Sequence, residues 1–80
     1  MEREQVLEEV KGIIVDVLEV DGDALKESTN LVSDLDAESL DLVDLVVAFE
    51  EKYKVKILDK DIKNLQTVKD IVDYIMSKNV

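Results

Sequence analysis

Apolar residues recur along this chain at the spacing of helices. Val6, Leu7, Val10, Ile13, Ile14, Val17 and Leu18 fall three and four residues apart, which puts them on one face of a helix from about Arg3 to Leu18. Glu2, Glu4, Glu8, Glu9, Lys11 and Asp16 take the other side. Gly12 within this helix costs ~1 kcal/mol relative to Ala, which the long stripe offsets.

Residues 19 to 38 read as turn and loop. Asp21-Gly22-Asp23 and Ser28-Thr29-Asn30 are turn signals, and Val20, Leu25, Leu31, Val32 and Leu35 are spaced among them. A loop of this length is unusual in a small domain and often functional. Its apolar residues imply that it packs across the bundle, with a short helical turn near Asp23 to Lys26.

A second helix is expected from Ser39 to Tyr53. Leu40, Leu42, Val43, Leu45, Val46, Val47 and Phe49 make it apolar over most of its circumference, which predicts a central position. Asp41, Asp44, Ala48 and Glu51 form a narrow stripe at helical spacing. Lys54 to Ile57 alternates as a short extended connection. Asp59 to Leu65 reads as a short third helix with Asp59 as N-cap and Ile62 and Leu65 inward. A last helix follows Thr67, which caps it with Asp70 three residues on; Val68, Ile71, Val72 and Ile75 are its buried stripe. The expected fold is all-α: a small four-helix bundle of three main helices and a short third one, with a long loop between the first two, in a single domain over 1–80.

Composition narrows the function. Eighty residues with 46% hydrophobic and 4% aromatic residues allow one aliphatic core, but not a deep enclosed active site beside it. Twenty acidic residues against ten basic ones give a net charge of −10. Such a field disfavours nucleic acid and anionic membrane surfaces and favours partners with basic patches; on charge alone, it equally suits a surface that merely keeps the chain soluble. There is no Cys and no His, which removes disulfides, thiolate chemistry, the usual neutral-pH base and the commonest transition-metal ligand. No apolar run approaches membrane-spanning length, and the charged MEREQ start is unlike a signal peptide, so the expected compartment is the cytoplasm.

Two groups could carry chemistry. Asp34, Asp36 and Glu38 alternate before the second helix, as Asp21 and Asp23 do in the loop, and hard cations favour such oxygens. Counted from Asp34, however, Ser39 and Leu45 occupy the places where a calcium loop needs Gly and Glu, so no dedicated metal site is expected. Acid–base catalysis by these carboxylates lacks a concave, desolvated setting. Ser39 stands out among the hydroxyls because it opens a helix. By position alone it is a terminal residue satisfying a backbone donor; the same helix end has free N–H groups and a positive dipole that suit an attached phosphate.

The segment Leu35-Asp36-Ala37-Glu38-Ser39-Leu40-Asp41 resembles the signature of the acyl carrier protein family, usually L-G-A-D-S-L-D, in which the Ser bears 4′-phosphopantetheine. The resemblance continues in order through Asp44-Leu45-Val46, Ala48-Phe49-Glu50-Glu51-Lys52-Tyr53, Ile57-Leu58-Asp59, Thr67-Val68-Lys69-Asp70 and Asp73-Tyr74-Ile75, and so covers nearly the whole chain. Asp36 stands in place of the usual Gly, Glu38 of the usual Asp and Leu58 of a common Pro.

The resemblance implies a monomeric carrier, not an enzyme. A phosphopantetheinyl transferase would move 4′-phosphopantetheine from coenzyme A to Ser39, and the arm's thiol would hold acyl groups in fatty acid, polyketide or related lipid synthesis. The acyl chain would shelter among Leu42, Val46, Phe49, Ile62, Leu65 and Ile71. Basic patches on partner enzymes would dock against Glu38, Asp41, Asp44, Glu50 and Glu51, with Leu40 and Val47 as apolar contacts. Without the resemblance, those acids are an ordinary solvated stripe, and Leu40 and Val47 are core. A chain of this size beginning at Met1 suggests a discrete, bacterial-type carrier. Competing readings are an aminoacyl carrier with the same chemistry at Ser39, a helical interaction module that bears no arm, and an enzyme in its own right.

Overall fold

Val6, Val10 and Ile14 close the centre of the bundle, with Leu7, Ile13, Val17 and Leu18 half-buried at the margins of their stripe. The computed structural model describes residues 2–78, so Met1, Asn79 and Val80 of the expected domain lie outside the described residues. Those residues form four α-helices: α1 (Arg3–Leu18), α2 (Ser39–Tyr53), α3 (Asp59–Ile62) and α4 (Val68–Lys78). The expected bounds of α1 and α2 hold. α1 ends at Glu19, whose left-handed φ of 55° lets its N–H reach the Val15 carbonyl.

The central helix is α1, against which both α2 and α4 pack. This corrects the expectation for α2. Its inward face is Leu45, Val46, Phe49 and Tyr53, and its surplus apolar residues point to solvent instead of to further neighbours. At the far end of α2 the Tyr53 hydroxyl donates to Glu9 Oε1 at 2.6 Å, which ties the two helices.

The long loop is seated by backbone pairing. Its helical turn is a 3₁₀ turn at Gly22–Ala24, slightly earlier than expected, because the Asp21 side chain accepts from the Asp23 N–H at 3.0 Å. Lys26, expected within that turn, instead donates its N–H to the buried Thr29 Oγ1. The loop then runs against the start of α4. Leu31 N–H donates to the Gln66 carbonyl at 2.8 Å, Val68 N–H to Thr29 at 3.1 Å and Lys69 N–H to Glu27 at 2.9 Å. Leu25, Leu31 and Ala37 are thereby buried while Val32 stays half-exposed.

α3 is shorter than expected and begins after Leu58, so Asp59 is its first residue and not its N-cap. Beyond Ile62 the bonds tighten to i→i−3, Asn64 N–H to Asp61 and Leu65 N–H to Ile62, which ends the α-helix before Leu65. Leu65 is still buried. α4 starts as expected: Thr67 Oγ1 accepts from Asp70 N–H at 3.1 Å, and Asp70 Oδ2 accepts from Thr67 N–H at 3.2 Å.

Candidate functional site

Ser39 is the first residue of α2 and is exposed. Capping falls to its neighbours: Asp41 Oδ2 accepts from Glu38 N–H at 3.0 Å, and the first ladder bond runs from Leu42 N–H to the Glu38 carbonyl at 3.1 Å. The Ser39 hydroxyl therefore does not cap its own helix; it bonds nothing among the described residues. The N–H groups of Ser39 and Leu40 likewise meet no acceptor there. Free donors and the positive end of a helix dipole lie beside this exposed hydroxyl, a setting that fits an esterified phosphate. The approach to this end is a tight turn in which Asp36 has φ 55°. Gly adopts such a left-handed backbone without strain, and Asp tolerates it better than most other residues.

From Ser39 an open groove of about 390 Å³ runs between α2 and α3, walled by Leu42, Val43, Asp59, Ile62 and Lys63. A second groove of about 440 Å³ shares Leu42, Ile62 and Lys63 with it and adds Asn30, Ser33 and Gln66. Beneath lies an apolar slot lined by all six expected pocket residues, Leu42, Val46, Phe49, Ile62, Leu65 and Ile71, together with Leu31 and Leu45. Its volume is only about 10 Å³, room for no more than about one water. Leu42 and Ile62 belong to both grooves and to the slot, so they form the entrance between them.

The outer face of α2 carries Leu40, Val43 and Val47, which are 76%, 50% and 46% exposed. Spaced three and four apart, they make one apolar ridge. Leu40 and Val47 are thus not core. Val43 was not singled out from the sequence, although its place between them carried the signal. Asp44 and Glu51 are exposed beside the ridge, Glu38 is exposed at its head, and Asp41 is half-buried in the cap. Glu50 differs: it is half-buried, and its Oε2 accepts from Ile57 N–H at 2.8 Å, which holds the connection to α3. Its carboxylate serves the fold more than the docking face expected of it.

The alternating acids do not converge. Asp34 Oδ2 turns back to accept from Asn30 N–H, and among the described residues no three carboxylates stand close enough to hold a metal ion. No helix there is long and apolar enough to cross a membrane.

Comparison with known proteins agrees with this arrangement. The family described as "Phosphopantetheine attachment site" matches residues 8–75. An acyl carrier protein of Thermotoga maritima is 47% identical over 76 residues, covering 95% of this chain and 94% of that protein. One from Picosynechococcus is 43% identical over 75 residues, covering 94% and 93%. Among solved structures, the acyl carrier protein of Enterococcus faecalis matches with a TM-score of 0.84 at 33% identity, over 99% of this chain and 100% of that one.

Proposed function

This chain belongs to the acyl carrier protein family, and on that premise we propose that Ser39 is the residue to which its 4′-phosphopantetheine arm is esterified. The protein is a carrier and not a catalyst; the arm, when bound, supplies the thiol that holds acyl groups as thioesters and that the Cys-free chain lacks. One observation carries the assignment to Ser39. Its hydroxyl is exposed and unbonded at the N-terminus of α2, at the mouth of a groove that leads to an aliphatic slot.

Attachment makes the chain the protein substrate of a phosphopantetheinyl transferase. The Ser39 oxygen forms the new bond to phosphorus and gives its proton to a base of that enzyme. The pyrophosphate bond of coenzyme A breaks, and its nucleotide part leaves. The acyl chain then enters between Leu42 and Ile62. Because the slot is closed to about one water, entry requires α3 to move away from α2. Enzymes of fatty acid or related lipid synthesis dock on the Leu40–Val43–Val47 ridge, and Glu38, Asp44 and Glu51 steer their basic patches. Rim charges of this kind speed encounter without holding the complex, which suits a shuttle. The cytoplasm, where coenzyme A is drawn upon, is the compartment this reading assigns.

The test is intact-mass spectrometry after incubation with coenzyme A, Mg²⁺ and a broad-specificity phosphopantetheinyl transferase, beside Ser39→Ala. One phosphopantetheine adduct, absent from the variant, is the expected result. A folded chain that takes no adduct from several transferases points to an interaction module without an arm.

A further inference from the structure

Charge is unevenly placed along the chain. Positions 34 to 44 hold five acids, Asp34, Asp36, Glu38, Asp41 and Asp44, and no base. Positions 52 to 63 hold five of the ten basic residues, Lys52, Lys54, Lys56, Lys60 and Lys63, against two acids. Of that segment, only Asp59, Ile62 and Lys63 line the groove that includes Ser39, so Lys63 is its one cationic wall residue among them, while Lys52 belongs to α2 itself.

Lys63 is the member of that segment placed to act. It walls both compartments of the groove, one of which includes Ser39, and it is exposed. Its ammonium has no ion-pair or aromatic partner among the described residues; Asp59, four residues earlier in the same groove, is not within ion-pair distance of it. An arm on Ser39 brings a phosphodiester, with one negative charge, into a neighbourhood of carboxylates. Repulsion from Glu38 and Asp41 disfavours a path back along α2; on the opposite wall Asp59 repels as they do, and the unpaired Lys63 ammonium is the group there that attracts.

We propose that Lys63 is the counter-ion of that phosphodiester, so that its ammonium draws the arm attached at Ser39 across the groove and lays it over the Leu42–Ile62 entrance. The inference rests on Ser39 being the attachment residue. The second compartment would suit the rest of such an arm: the Asn30 Nδ2, the Ser33 hydroxyl and the Gln66 Oε1 line it, while Asn30 Oδ1 already accepts from the N–H groups of Val32 and Ser33, and Gln66 Nε2 donates to the Lys63 carbonyl. Lys63 is a positioning residue, acting on where the arm lies and not on the chemistry at its thiol.

The experiment compares amide ¹H–¹⁵N spectra of apo and arm-loaded protein for the wild type, Lys63→Gln and Lys63→Glu. Intact mass establishes loading and circular dichroism establishes folding in each. Loading of the wild type is expected to shift the amides of residues 59–66. Exposed ion pairs of this kind change an equilibrium constant by up to about five-fold, so these loading shifts should shrink, by at most about that factor, in Lys63→Gln and shrink further in Lys63→Glu. Loaded, folded Lys63→Glu with wild-type loading shifts overturns the inference while leaving the attachment reading intact, as does a loaded wild type with no shifts there. A wild type that gains no mass overturns the attachment reading and this inference with it.

Discussion

The Tyr74 hydroxyl donates to Asp61 Oδ2 at 2.9 Å and so fastens the four-residue α3 to α4. α3 supplies Ile62, one side of the slot entrance. The bond therefore sits where opening must occur. Tyr74→Phe removes it without emptying space, at a cost of about 0.5–1.5 kcal/mol in global stability. The larger effect is expected locally, as faster amide hydrogen exchange over residues 61–65 than over α1. Uniform acceleration across all helices would show that the bond is not a latch on α3.

Alkaline unfolding should report Tyr53. Burial first, and then its bond to Glu9, raises the Tyr53 phenol above the ordinary 10.0. Burial, followed by the Asp61 bond, raises Tyr74 in the same direction. A phenol with a raised folded pKa keeps its full stabilising contribution below pH 10 and loses it as pH climbs through the folded value. Stability from urea titrations should fall above pH 10, and Tyr53→Phe should flatten that fall. An unchanged slope in the variant would contradict the assignment.

Asp36 holds φ 55° at the turn that delivers Ser39. Asp36→Val, β-branched in a left-handed conformation, should cost about 1–2 kcal/mol, and Asp36→Gly should be neutral or stabilising. Thermal melts of both variants check the pair of signs.

The ridge on α2 separates docking from folding. Leu40→Ala and Val47→Ala should change stability by no more than about 0.5 kcal/mol, since neither side chain is core. The same variants should slow transfer of phosphopantetheine by a transferase. Loss of stability without slower transfer would return these residues to the core.

Gly12 lies exposed within α1, and a Cβ built there meets nothing within 4 Å. Gly12→Ala should stabilise the protein by about 0.8–1 kcal/mol, read as a higher urea midpoint.

Local order was legible in the sequence because local rules create it. Three- and four-residue spacing set the bounds of α1 and α2, and a Thr67–Asp70 pair announced the start of α4. The six slot residues were legible too, through the family's pattern, and they line one cavity. Other features depended on neighbours distant in the chain. An apolar α2 said nothing about which of its faces lacks a partner, and only the packing of α2 and α4 on α1 left Leu40, Val43 and Val47 outside. Glu50 looked like one more surface acid until the backbone of Ile57 met it. Lys63 is twenty-four positions from Ser39, and no spacing rule links them; the fold brings α3 across from α2 and makes them walls of one groove. Periodicity specifies which residues share a helix face, because that is a property of one helix. What covers the face, and what remains open opposite Ser39, is decided by contacts among helices.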